Sequence, residues 1–101
     1  MEKSTFSPLY QHFRACLVEL RMKADMTQRE LAGKLGREHS FVSRVELGER
    51  RLDVVEFYWV VRALGNDPAK VAASLMRKFM ELEDKDKSLA VRNRRRPGSK
   101  A

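Results

Sequence analysis

Apolar residues recur along this chain at intervals of three and four, in five stretches separated by short polar or glycine-bearing breaks. In the first stretch Leu9, Phe13, Cys16, Leu17 and Leu20 share one helical face, and Ser7 followed by Pro8 supplies a cap and a first-turn proline. A helix from Pro8 to about Lys23 is predicted. Thr27 and Glu30 have the T-x-x-E spacing of a capping box, so a second helix starts there, buries Leu31, Ala32 and Leu35, and ends at Gly36. After the turn Gly36-Arg37, Phe41, Val42 and Val45 mark a third short helix closed by Gly48. Asp53 and Glu56 repeat the capping spacing ahead of a fourth helix, which ends at Gly65 and needs Phe57, Val61 and Leu64 for its core face. Asp67-Pro68 opens a fifth, carrying Val71, Leu75, Phe79 and Leu82, and apolar positions thin out after Glu83. No period-two alternation and no repeat occurs, so the expected fold is all-α and compact, with five helices.

A chain of 101 residues with 43% hydrophobic content builds one helical core of modest size, to which a partner subunit would add stability. The net charge of +7 points to a polyanion, yet its distribution is uneven. Residues 85–101 carry seven cations against Asp86, whereas the other 84 residues carry fourteen cations against thirteen anions. A polyanion-binding face on the folded part must therefore come from the placement of charges. Three units follow: a flexible N-terminus (1–7), a helical domain (8–83) and a basic, disordered tail (84–101).

Several function classes drop out. Cys16 is the one cysteine, so no internal disulfide forms, and its place on the apolar stripe reads as a buried, reduced thiol. The two histidines, His12 and His39, fall on different helices, and neither metal-ligand spacing nor a phosphate-cradling glycine loop is present. Neither an enzyme nor a cofactor is expected. No apolar run has the length of a membrane span and the N-terminus lacks signal-peptide blocks, which favours a cytoplasmic protein without a membrane partner. No second sensor domain fits in this length, so a small-molecule ligand is not expected.

The ordered run Thr27-Gln28-Arg29-Glu30-Leu31-Ala32, Leu35-Gly36, Val42-Ser43, Glu46, Gly48-Glu49-Arg50 and Ala63-Leu64-Gly65 resembles the Xre-like, phage-repressor-type (Cro-like, lambda-repressor-like) helix-turn-helix family. The resemblance covers residues 10 to 76. It implies a five-helix domain whose second and third helices form a DNA-binding unit, with Glu38 to Leu47 as the recognition helix, acting as a homodimer on a palindromic operator. The chain departs from the family pattern at Glu38, where a Ser, Thr or Asn cap is common, and at His39, where Gln is frequent.

With Phe41, Val42 and Val45 turned inward, His39, Ser40, Ser43 and Arg44 are left on the outer face of the recognition helix as candidate base readers. Arg44 can fork onto the two acceptors of guanine, and His39 and Ser40 can donate or accept at a base edge or phosphate. Thr27 and Gln28 open the second helix, where free backbone amides favour a phosphate, and Gln28 is also in position to brace His39. Arg37, Arg50 and Arg51 flank the recognition helix. They either contact phosphates or, for Arg50 and Arg51, pair with Glu46, Glu49 or Asp53.

On the fifth helix Ala72, Met76 and Met80 lie beside the core stripe, and with Phe79 and Trp59 they are candidates for a dimer interface; Trp59 otherwise folds onto its own core. The tail either follows phosphates or stays solvated. Two other roles share the resemblance: an antitoxin that binds a toxin protein and autoregulates its operon, and the controller of a restriction-modification system.

Overall fold

The computed structural model describes the backbone of residues 7–90 and the side chains of residues 7–85; the basic segment 91–101 and residues 1–6 of the expected flexible N-terminus lie outside the described residues. Five α-helices and no strand occur among them: α1 (Pro8–Lys23), α2 (Gln28–Leu35), α3 (His39–Leu47), α4 (Val54–Ala63) and α5 (Pro68–Ala90). Each boundary up to the start of α5 has a local cause. The Ser7 hydroxyl accepts from the Tyr10 amide at 3.1 Å, ahead of Pro8. Thr27–Glu30 and Asp53–Glu56 both close as reciprocal capping boxes, each satisfying two otherwise orphaned amides. Gly36 terminates α2 in the left-handed region at φ 68°, and the Arg37 amide reaches back to the Ala32 carbonyl at 2.9 Å. Glu38 stands at the start of α3 with no side-chain cap, as the departure from Ser, Thr or Asn there leads one to expect.

The core joins α1 to α4 around Leu17, Leu31, Ala32, Phe41, Val42, Val45, Val60 and Leu64. Val61 is fully buried, and Leu75 brings α5 against α1 and α4. Three expectations change. Val60 takes a central place in α4 while Phe57 sits at the rim, its ring tilted against Phe13 with centroids 5.8 Å apart. Cys16 is only half-buried, because it lies at the flank of the α1 stripe whose centre is Tyr10 and Leu17, and burial together with Glu19 pushes its thiol pKa up. Helix α5 continues seven residues beyond Glu83, to Ala90, since nothing between Glu83 and Ala90 breaks a helix even where apolar residues are sparse.

Helices α2 and α3 make the most extensive pairing in the molecule, across the turn at Gly36. This pairing fixes which face of α3 is left to solvent.

Candidate nucleic-acid interface

Phe41, Val42 and Val45 are all buried, so α3 is anchored along one side and its opposite side is free. On that side His39 and Arg44 are exposed and Ser40 and Ser43 half-exposed, the four positions expected as base readers. Among the described residues the Arg44 side chain makes no hydrogen bond, ion pair or ring contact, so its five donors are uncommitted. Leu47, 64% exposed, falls in the middle of the same arc at the far end of the helix. It was not among the readers expected from the sequence, although its helical spacing from Ser40 and Ser43 marks it as outward.

Behind the helix sits a polar hub. Glu46 projects from α3 toward α1 and α2, where Arg21 Nε and Nη2 donate to its two carboxylate oxygens at 2.7 and 3.0 Å. Gln28 Nε2 donates to the same carboxylate at 2.7 Å, and Arg21 Nη1 reaches the Met26 carbonyl at 2.9 Å. Both charged side chains of this pair are about nine-tenths buried (12% and 10% exposed). The Gln28 side chain thus braces Glu46, on the third helix, rather than His39. Arg14 adds a second tie by donating to the Glu46 backbone carbonyl at 2.8 Å. Its guanidinium lies across Gly48, whose added Cβ would come within 3.1 Å of Arg14 Nη1, at a φ of +85° that side chains rarely adopt. Arg14 and Arg21 were missed in the sequence; the signal was there, since they stand seven apart on the flank of the α1 stripe and so share a face.

A second hub lies at the edge of α3. Arg50 Nη1 and Nη2 donate to Glu56 Oε1 and Oε2, both at 2.9 Å, and Arg37 Nη1 is 3.8 Å from Oε2. The two guanidiniums lie over the Phe41 ring, 4.0 Å (Arg37) and 4.9 Å (Arg50) from its centroid. The intramolecular partner of Arg50 is therefore Glu56 and not Glu46, Glu49 or Asp53, because the loop after Gly48 folds back along α4. The Arg50 fork holds the Glu56 carboxyl below the usual range, helped by the Asp53 amide. Arg51 extends over the Tyr10 ring at 5.0 Å and stays exposed. Thr27 Oγ1 accepts from the Glu30 amide at 3.0 Å, leaving its hydroxyl proton to donate elsewhere.

The residues expected at a dimer interface divide between two places. Ala72, Met76 and Phe79 line an apolar groove of about 470 Å³ with Leu9, Val54 and Phe57. Met76 and Met80 are exposed, whereas Ala72 and Phe79 are partly covered by their own chain, Phe79 packing edge-on to His12 at 6.4 Å. Trp59, 53% exposed, lines a different depression with Lys34, Arg37 and Arg62. No group of three or more potential metal ligands occurs, and no helix is long and apolar enough to cross a membrane, among the described residues.

Comparison with known proteins agrees with this geometry. Residues 12–73 match the family model described as a helix-turn-helix domain. An Xre-family-like protein from Pseudomonas syringae pv. tomato str. DC3000 is 46% identical, with a TM-score of 0.67 over 69% of this chain and 85% of that one. None of the curated proteins matches the chain. The matched span takes in both hubs, the glycine turn and the whole of α3, and the chain belongs to the Xre-like helix-turn-helix family of DNA-binding regulators.

Proposed function

We propose that this protein is a sequence-specific regulator, acting as a repressor, that binds double-stranded DNA as a homodimer on a palindromic operator. The observation that carries the reading is the division of α3: Phe41, Val42 and Val45 are buried, while Arg44 is exposed and unpartnered beside His39, Ser40 and Ser43. A helix docked in the major groove reads bases from such a face, and an uncommitted guanidinium suits the paired acceptors of guanine. Leu47 joins this face as an apolar contact for a thymine methyl. Thr27, the Gln28 backbone amide at the start of α2 and Arg51 hold the phosphates on either side and set the register without reading sequence. The second copy docks on the groove beside α5, where Met76 lines the apolar surface with Leu9 and Val54 and Met80 stands exposed one turn further along the helix.

The test is fluorescence anisotropy with the protein's own promoter region and a scrambled duplex, each across a salt series. Wild type prefers the promoter by about a thousandfold or more, and Arg44→Ala narrows that gap by about tenfold or more. Equal binding to both duplexes, varying only with salt, would overturn sequence-specific regulation. Met76→Lys shifts the particle toward monomer in light scattering; an unchanged mass discards the α5 interface.

A further inference from the structure

Two arginines beside the recognition helix differ from Arg44 in one respect: they are already occupied. Arg50 presents a two-pronged fork to Glu56, and Arg37 approaches the same carboxylate at 3.8 Å. Both nevertheless stay at the surface, their side chains 35% and 38% exposed, whereas Glu56 is 13% exposed. Arg37 lies in the turn that enters α3 and Arg50 in the loop that leaves it, so the cluster, resting on the Phe41 ring, stands beside the ends of the helix proposed to enter DNA.

The charge on Glu56 is more than its helix requires. As the N3 partner of Asp53 it needs one acceptor oxygen for the Asp53 amide, here at 3.0 Å, and glutamine fills that position in capping boxes as well. What only a carboxylate supplies is a bidentate anionic partner for guanidinium, and phosphate is the other group of that kind. A carboxylate placed between two arginines at a DNA-facing edge competes with the phosphates of any duplex.

Resting on the DNA-binding reading above, we infer that Glu56 is a restraining residue: it withholds Arg37 and Arg50 from duplex phosphate and so holds down the sequence-blind part of the protein's DNA affinity. Phosphate contacts are the source of non-specific binding, and each adds about 0.9 to the slope of log affinity against log salt. Lower sequence-blind affinity leaves less of the protein on the many competing sites of a genome.

The full chain is titrated against a scrambled duplex between 50 and 200 mM salt as wild type, Glu56→Gln, Arg50→Ala and the double variant, with melting by circular dichroism alongside. Glu56→Gln keeps the capping box and steepens the slope by about 0.9 for each arginine released, an extra loss of about threefold per arginine across that salt range. The double variant loses the part of this gain that runs through Arg50. An unchanged or shallower slope in a folded Glu56→Gln protein overturns the inference. Should that variant not fold, Arg50→Ala alone decides: a slope equal to wild type supports the restraint, and a shallower slope shows that Arg50 already holds phosphate and overturns it. A wild type that binds no duplex removes the DNA-binding reading itself, an outcome distinct from wild-type binding with a variant slope that fails to move.

Discussion

Glu46 and Glu56 are both carboxylates that grip arginines beside the same helix, and they are set at different depths. Glu46 lies behind α3 with its side chain 10% exposed, and its donors come from α1 and α2, so it ties three helices together. Glu56 lies at the edge, and its donors, from the turn at Arg37 and the loop at Arg50, remain in contact with solvent. The ion pair behind the helix has no competitor, since nothing reaches it without unpacking the core. At the edge the pair can exchange one anion for another. The same chemistry thus fastens the recognition helix in one place and holds cations in reserve in the other.

The largest expected effect breaks the inner hub. Glu46→Ala leaves Arg21 buried with only the Met26 carbonyl and leaves the Gln28 amide unheld, a loss of about 3 kcal/mol, as is usual when one member of a buried pair is removed. Glu56→Ala sacrifices an edge ion pair and half a capping box, about 1 kcal/mol together. Urea unfolding followed by circular dichroism measures both. Losses of equal size would erase the distinction between the two glutamates.

Much of this arrangement is legible in the sequence, and the part that is not has a consistent cause. Local signals carry the helices: the T-x-x-E box at Thr27, the left-handed Gly36 and Gly48, and Pro8 and Pro68 at first turns each act within four residues. The inward trio Phe41, Val42 and Val45 follows from helical period, and with it the outward four. Glu46 and Glu56 escape because their partners are distant in sequence or lie across a loop. Arg21 is 25 residues from Glu46, and Arg50 pairs six residues on with Glu56, while three nearer acids, Glu46, Glu49 and Asp53, compete on paper. Spacing along a helix says which face a charge shares, not which opposite charge the fold carries to it. Trp59 and Met76 illustrate the same limit, for both read as exposed apolar residues, yet they line separate depressions.

A smaller effect sharpens the inner side of the comparison without touching a carboxylate. Gly48 ends α3 at φ +85°, and an added Cβ would press on Arg14 at 3.1 Å, the residue that ties the Glu46 carbonyl to α1. Gly48→Ala costs about 1–2 kcal/mol through backbone strain, with the Arg14 fork displaced as well. Gly36 is the control. It has φ +68° but open space around its Cα, so Gly36→Ala bears the strain alone and loses less. Thermal melts of the two variants compare them directly; a larger loss at Gly36 would remove Arg14 from the account.

The smallest effect is the pH dependence of the outer hub. Arg50 and the Asp53 amide hold the Glu56 carboxyl below its ordinary value, so the folded protein keeps this group ionised to lower pH than the unfolded chain does. A carboxylate of depressed pKa contributes its stabilisation in full above the unfolded value, about 4.3, and loses it as pH falls through the folded value. With Arg50 about a third exposed, the contribution is about 0.5 kcal/mol. The stability gap between wild type and Glu56→Gln therefore stays constant from pH 7 to about 5 and closes below the ordinary carboxylate range. Urea midpoints at pH 7, 5 and 3 follow it, and a gap that persists undiminished at pH 3 would mean that packing at residue 56, not its charge, holds the edge of α3 in place. In high salt the pH-dependent part shrinks further, because an edge pair open to solvent is screened where the pair behind the helix is not.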